Sequence, residues 1–228
     1  MTRTVLVPPE RLVRWCENFA TRHGAVTPTV SSGRLALAAA DGASAAVELP
    51  FDREYDGAPD PAEVAAAACA PLTWGILLVR KGGFAVALVD TDRVVASKVG
   101  QRHVQGRTKA GGQSQQRFAR RRDNQARQAY EAAADHAFRI LAEESENQGS
   151  GRRVAAQVTP RRPVSALVCG GDRPAVDAVL ADPRLARTVA SCVVDPWLPV
   201  PDPRRAVLDQ AVVDGRSLRV HLTDPGAP

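Results

Sequence analysis

The sequence lacks several features that define large functional classes. None of its apolar runs approaches the 18 or so residues that a membrane-spanning helix requires, so we expect no membrane partner. The first residues, Met1 to Pro8, have neither the apolar core nor the cleavage site of a signal peptide. These absences predict a cytoplasmic protein. Its 228 residues can bury a sizeable core in one domain, or in one domain with a small companion.

Cysteine and histidine are also sparse and dispersed. The four cysteines form no Cys-x-x-Cys pair, and no histidine lies at ligand spacing from them, so we expect reduced and mostly buried thiols rather than a zinc site or disulfides (Cys16, Cys69, Cys169, Cys192). No Ser-His-Asp or Cys-His set is recognisable, which argues against a covalent mechanism. The sequence predicts neither a metal nor a cofactor.

What the chain does have is a glycine pair inside its densest positive charge. Gly111 and Gly112 are followed by Gln113, and two adjacent glycines let a backbone adopt φ > 0 and approach another molecule closely. From Arg102 to Arg127 there are eight Lys or Arg residues and one acid, Asp123, for a net charge of +7. The whole chain carries +5, so the rest of it sums to −2.

Such an asymmetry is the electrostatic pattern of a protein that binds a polyphosphate. A helix that is merely solvated normally interleaves both signs of charge along its faces. Because one sign dominates the residues around the glycine pair, the sequence favours a nucleic acid as the partner.

The first part of the chain predicts a small α/β segment over residues 1–68. Residues 9–23 have apolar side chains at helical spacing, and Gly24 follows them. Two short apolar runs at 34–38 and 45–49 flank Asp41-Gly42, a strong hairpin signal. A stretch rich in Pro, Asp and Gly, residues 52–61, is interpreted as a linker.

The second part, residues 69–228, predicts a mixed sheet flanked by helices. Strands are expected at 74–80, 84–89, 94–99, 164–169 and 188–194, and helices at 114–148, 173–181 and 203–212. This β-β-β-α-β-α-β-α order is typical of an α/β fold. The turn from Cys169 to Asp172 lacks the third glycine of a dinucleotide loop and any Gly-Lys-Ser/Thr, so we interpret it as a simple strand-to-helix turn.

The long helix has two different halves, and at full length it would measure about 50 Å. A stripe in its C-terminal half can pack on a sheet (Ala126, Tyr130, Ala133, Ala137, Leu141). Before Ala126 the one large apolar residue is Phe118. The first turns therefore have little to bury, and we expect them to project with the glycine pair at their tip. Residues 101–113 have no apolar anchor, so we also expect them to be mobile in the free protein.

The residues Gly111-Gly112-Gln113-Ser114, with Arg117-Phe118-Ala119-Arg120 after them, closely resemble the catalytic middle domain of the archaeal and eukaryotic class I release factors. The preceding stretch from Arg102 to Lys109 is more similar to the Vms-like release factors (the VLRF family). Residues 1–68 have neither the length nor the motifs of a stop-codon-reading domain. The chain therefore resembles a compact bacterial member of the VLRF family over roughly residues 70 to 215.

This resemblance implies a ribonuclease-H-like middle domain and a hydrolase that frees nascent chains from tRNA on stalled large ribosomal subunits. It implies that Gly111, Gly112 and Gln113 carry the reaction, with the Gln113 backbone N–H facing the oxyanion. Seven further residues would contact ribosomal RNA at the peptidyl transferase centre or the tRNA (Arg102, His103, Arg107, Lys109, Arg117, Arg120, Arg121). We expect the protein to act as a monomer.

Two other interpretations stay open. A non-catalytic factor that binds ribosomal RNA would need the basic segment alone, with the glycines as a tight turn. A nuclease on the same fold would need metal-binding carboxylates, and none are discernible in the sequence.

Overall fold

The computed structural model describes residues 2–81, 83–101, 127–142 and 163–225. The chain divides into two compact units, each with a five-stranded sheet. One unit contains Met1–Leu72, Val194–Pro196 and Gln210–Pro228, and the other contains Thr73–Val193 and Trp197–Asp209. The predicted α/β class is confirmed. No helix within the described ranges is long and apolar enough to cross a membrane.

The first unit is built on a wholly antiparallel sheet with the order β1-β10-β4-β3-β2. Its elements are β1 (Thr2–Val7), α1 (Leu12–His23), β2 (Val26–Ser31), β3 (Arg34–Ala39), β4 (Ser44–Glu48), α2 (Pro61–Ala68) and β10 (Leu218–Thr223). The predicted helix and hairpin are confirmed. The helix α1 ends at Gly24, whose φ of 85° suits glycine and whose N–H bonds to Ala20.

The expected division at residue 68 needs a correction at the C-terminus. β10 lies between β1 and β4 in the first sheet, so the last residues cluster with the first unit rather than with the second. The physical reason is its alternating pattern: Leu218, Val220 and Leu222 are buried in the same core as Val47 and Leu35. Three further elements, β1, β2 and α2, were not predicted. Asp60 caps α2 by accepting a hydrogen bond from the Ala62 N–H at 2.8 Å.

The second unit is built on a mixed sheet with the order β7-β6-β5-β8-β9. The first three strands form an antiparallel meander, and β8 is parallel to β5. The strands are β5 (Thr73–Arg80), β6 (Gly83–Asp90), β7 (Arg93–Gln101), β8 (Ala166–Gly171) and β9 (Val193–Leu198). The helices are α3 (127–137), α4 (Arg173–Leu180), α5 (Pro183–Ala186) and the first part of α6 (Arg205–Gly215), whose residues from Gln210 onward cluster with the first unit.

The strand expected at 188–194 is misplaced, since β9 begins at Val193. The residues before it complete the turn after α5. The Thr188 hydroxyl donates to the Arg184 carbonyl at 2.8 Å, and the Val189 N–H donates to the Leu185 carbonyl at 2.9 Å. Val189 is buried in the core, so its β-branched side chain serves packing rather than a strand.

Helix α3 continues as a π-helical turn, Phe138–Ala142, and packs on the sheet as its apolar stripe predicts. Ala133, Ala137 and Leu141 are buried, and Tyr130 packs partly against the same core. The remaining parts of the predicted long helix, 114–126 and 143–148, lie outside the described residues, as does the expected projection of its first turns.

Candidate functional site

The ten residues predicted to carry catalysis and RNA binding lie in the segment 102–126, outside the described part of the chain. They are Gly111, Gly112 and Gln113, with Arg102, His103, Arg107, Lys109, Arg117, Arg120 and Arg121. The structure describes both ends of that segment: Gln101 at the end of β7, and Arg127 in α3. The mobility expected for residues 101–113 also stays a prediction.

Gln101 lies at one particular edge of the second sheet, which we call the carboxyl edge. There Gln101 pairs with Gly83, and Gly83 pairs with Arg80 at the end of β5. The parallel strand β8 ends at the same level, where Gly171 pairs with Val79. At a spacing of about 4.8 Å between strands, Gln101 and Gly171 are about 14 Å apart. The segment with the glycine pair therefore leaves the sheet where β5 and β8 both end.

The ring of Phe84 connects the two ends of this segment. It stacks on the His136 ring of α3, with centroids 5.5 Å apart and an interplanar angle of 26°. It also covers Gly100, where an added Cβ would collide with the ring. Burial, together with the positive charges of Arg139 and Lys98, lowers the pKa of His136. A neutral imidazole at physiological pH suits this stacking. Phe84 of β6 thus lies against both Gly100 of β7 and His136 of α3, and it links the two elements that flank the segment 102–126.

The turn between β8 and α4 is the simple strand-to-helix turn that the sequence predicts. Gly171 has φ +92°, and a Cβ there would collide with the Val79 carbonyl oxygen. The Asp172 carboxylate lies 3.4 Å from the Arg80 guanidinium, and Arg80 also donates to the Val200 carbonyl at 2.9 Å. Gly171 therefore serves backbone packing, and the Asp172 carboxylate already has the Arg80 cation beside it.

Three functional candidates at the carboxyl edge were missed by sequence reasoning. Lys81 is exposed in the turn after β5, and Arg173 is exposed at the start of α4. The Arg173 guanidinium lies 4.2 Å from the centroid of the Trp197 ring, a cation–π distance. Tyr130 had been assigned to the core stripe alone, yet it lines a cavity with both cations. The sequence did contain a signal for the two cations: Lys81 follows β5, and Arg173 follows the turn after β8. Because the carboxyl ends of parallel strands lie at the same edge of a sheet, two such residues are expected to be close together.

A polar cluster fastens α3 further from the carboxyl edge. Arg184 donates to Asp135 of α3 at 2.7 Å and to Asp182 at 2.8 Å. Hydrogen bonds from the Arg184 side chain and backbone lower the pKa of Asp182 to about 2. The guanidinium also lies 5.2 Å from the centroid of the Phe138 ring. These contacts hold the helix that follows the basic segment.

The described residues contain no group of three or more His, Cys, Asp or Glu side chains placed to hold a metal ion. The four cysteines are free. Cys169 is buried, but Cys69 is exposed, so the expectation of mostly buried thiols holds for Cys169 and fails for Cys69.

A family model described as the Actinobacteria/chloroflexi VLRF1 release factor matches residues 72–221. The match covers 150 of the 228 residues, begins directly before β5 and ends within β10. It spans the carboxyl edge and the whole segment 102–126. No curated protein matches the chain.

The match first assigns the chain to a class, the release factors, which act in translation at the ribosome. Within that class, the chain belongs to the Actinobacteria/chloroflexi VLRF1 release factor family. The resemblance found in the residues around Gly111-Gly112-Gln113 is thereby confirmed at the level of the family.

Proposed function

We propose that this protein is a peptidyl-tRNA hydrolase that releases nascent chains from tRNA on stalled large ribosomal subunits. The observation that carries the proposal is the family match over residues 72–221, which includes Gly111-Gly112-Gln113 and the surrounding charge of +7. The protein then acts in the cytoplasm, in the process of ribosome-associated quality control. The partners are ribosomal RNA at the peptidyl transferase centre and the peptidyl-tRNA itself.

In the proposed reaction a water molecule attacks the ester carbonyl that joins the peptide to the tRNA. The Gln113 backbone N–H donates to the oxyanion, and the Gln113 side chain helps to position the water. Gly111 and Gly112 supply the backbone geometry, since a Cβ would keep the loop from the ester. One oxyanion donor typically contributes about 10²–10³ in rate. The ribosome supplies the rest by positioning the ester.

The second unit is proposed to be the ribonuclease-H-like middle domain that the resemblance implies. An antiparallel meander, a helix and then a strand parallel to the first support this assignment. Phe84 and the buried face of α3 hold the two ends of the basic segment. A loop that is fixed at both ends can present its tip in a reproducible direction, as catalysis by positioning requires.

The test is the release of a labelled peptide from purified large subunits that carry peptidyl-tRNA. Gly112→Ala is expected to abolish release because its methyl group lies where the loop approaches the ester. Gly106→Ala is the matched control: it adds the same methyl in the same segment outside the tripeptide, and should retain release. Co-sedimentation with large subunits should be equal for both variants and the parent.

The oxyanion role is tested at Gln113. Gln113→Ala keeps the backbone N–H and should retain substantial release, whereas Gln113→Pro removes the donor and should cost about 10² or more. Equal release by both variants would refute the backbone role. If the parent protein releases no peptide and Gly112→Ala gives the same result in every assay, the protein is a non-catalytic RNA-binding factor and the hydrolase proposal is wrong. RNA cleavage in the same reaction would indicate the nuclease.

The role of the basic residues is tested by the salt dependence of binding and release. Arg120→Ala with Arg121→Ala removes two candidate phosphate contacts, and each lost contact lowers the slope of log affinity against log salt by about 1. Release should become slow at physiological salt and recover at low salt. An unchanged salt slope would show that these two arginines do not contact RNA.

A further inference from the structure

The carboxyl edge contains a cavity of about 450 Å³ that no part of the proposed reaction uses. It lies between α3, the turn after β5 and the start of α4, and is lined by Lys81, Tyr130, Asp172 and Arg173. Its volume is within the range of about 300–1,000 Å³ that small-ligand sites occupy. Gly171, which is part of its lining, lies about 14 Å along the sheet edge from Gln101, where the basic segment departs.

The charges at this cavity favour an anion. Lys81 and Arg173 contribute two cations, while the charge of Asp172 is offset by Arg80 at 3.4 Å. Arg173 is held in place by the Trp197 ring at 4.2 Å, and Trp197 donates to the Gly171 carbonyl at 3.2 Å. A guanidinium with a fixed plane loses less freedom on binding a phosphate than a free side chain does. The site therefore suits a phosphate better than a neutral apolar ligand.

Tyr130 adds an aromatic surface beside the two cations. Its side chain is half-buried against the core and lines the cavity. Within the described ranges, its hydroxyl has no hydrogen-bond partner. Aromatic rings that alternate with basic side chains are the usual platform for single-stranded nucleic acid, because bases stack on the ring while cations hold the backbone. An acidic peptide would use the cations but would leave the ring without a partner.

We propose that this cavity binds one single-stranded RNA nucleotide, with its phosphate at Lys81 and Arg173 and its base on Tyr130. This proposal rests on the proposed function in one respect: the RNA is taken to come from the ribosome or from its tRNA. It makes the carboxyl edge a second RNA contact, separate from the residues 102–121. Two separate contacts orient the protein on RNA, whereas the basic segment alone would attract RNA in many orientations.

The first test uses a fluorescein-labelled hexaribonucleotide and measures its affinity for the full chain by anisotropy. Tyr130→Leu should weaken binding about fivefold or more, and Tyr130→Phe, which keeps the ring, should not. Lys81→Ala should weaken binding and lower the salt slope by about 1. Lys98→Ala removes the same charge from β7, outside the cavity, and should leave affinity within about twofold. Equal affinity for all four variants would overturn the proposal.

The second test assigns the site by amide chemical shifts on addition of adenosine monophosphate, inorganic phosphate, adenosine or a hexaglutamate peptide. Adenosine monophosphate should shift the amides of Lys81, Tyr130 and Arg173 at lower concentration than phosphate or adenosine alone. Stronger shifts with the peptide would overturn the proposal in favour of an acidic protein partner. If Lys81→Ala weakens RNA binding while the parent releases no peptide, the cavity stands and the proposed function falls.

Discussion

The two five-stranded sheets of this protein bury their strands in different ways. In the first sheet, β3, β4 and β10 alternate buried with more exposed residues. In the second, every residue of β5 except Arg80 is buried, and so is β6 from Phe84 to Val89. Continuous burial is typical of strands covered on both faces, and alternation is typical of a sheet with one face in water.

This difference decides where each sheet places its polar side chains. The first sheet keeps an ion cluster on its outer face, where Glu48 lies 3.0 Å from Arg34, 3.0 Å from Arg219 and 3.1 Å from His221. The central strands of the second have no polar face, so their charged residues are at strand ends, as at Arg80 and Lys81. A strand buried on both faces is thus a rigid support that presents polar side chains only at its ends.

The largest expected contrast is in cysteine reactivity. Burial raises the pKa of the Cys169 thiol, in the centre of β8, to about 12, from an ordinary value of 9.0. Its thiolate at pH 8 is about 10³ times rarer than that of an unperturbed thiol. Labelling with a thiol reagent, resolved by mass spectrometry, should modify the exposed Cys69 at least about 10³ times faster than Cys169. In urea the two rates should converge; a fast Cys169 in the native protein would contradict continuous burial.

The next effect is steric. A Cβ at Gly170 of β8 would lie 2.6 Å from the Leu198 carbonyl oxygen, a backbone atom that cannot swing away. Gly170→Ala should therefore lower the free energy of unfolding by about 2–3 kcal/mol. The control is Ala38→Thr on the exposed outer face of the first sheet, which should stay within about 0.5 kcal/mol. Urea unfolding measures the stability of both variants. Equal losses of unfolding free energy would contradict the difference in burial between the two sheets.

Glu48→Gln tests the ion cluster of the first sheet. Burial of Glu48 opposes ionisation, but His221, Arg219 and Arg34 together outweigh it and lower the pKa of the carboxyl below 4.5. Its stabilisation is thus present above pH 4.5 and is lost as the pH falls through the lower, folded pKa. At pH 7 we expect Glu48→Gln to cost about 1–2 kcal/mol, because Arg219 then loses the Glu48 carboxylate and keeps Asp52, at 2.8 Å, as its close charged partner.

The pH dependence of that loss is the decisive measurement. The difference in unfolding free energy between the parent and Glu48→Gln should shrink as the pH falls from 5 to 3. Glu17→Gln, which removes an exposed carboxylate from α1, is the control and should change little at any pH. A difference that stays constant with pH would mean that the charge of Glu48 is not what stabilises the cluster.

The smallest expected effect is at Arg184 in the second unit. Its guanidinium pairs with Asp135 and Asp182, but its side chain is 44% exposed, so solvent screens the pairs. Arg184→Ala should cost about 0.5–1 kcal/mol. Hydrogen exchange at the amides of α3 should quicken, whereas Arg187→Ala, an exposed neighbour, should leave it unchanged. If both variants behave alike, the cluster does not fasten α3.

Local pattern accounts for the elements that sequence reasoning placed correctly. The meander β5–β6–β7 follows from apolar runs with short polar turns, and the stripe from Tyr130 to Leu141 follows from helical spacing. The candidate tripeptide and its +7 segment were also visible in the sequence, because charge and glycine are local properties. Their family was predictable for the same reason, and the match over residues 72–221 confirms it.

Non-local pairing accounts for the failures. The alternation of Leu218, Val220 and Leu222 was present in the sequence, but nothing local states that it pairs with Thr2–Val7 and with β4. The misplaced β9 has the same origin, because Val189 is a good strand former that the core uses at the end of a helical turn.

The sequence by itself determined the candidate site of this protein: a glycine pair, a glutamine and a concentration of positive charge, each visible without a fold. The tertiary structure alone decided that Lys81, Tyr130 and Arg173, which are separated by up to 92 positions, line one cavity. It also decided that β7 and α3 meet over Phe84. The physical reason is that parallel strands end at a common edge, and which strands are neighbours depends on the burial of the whole core.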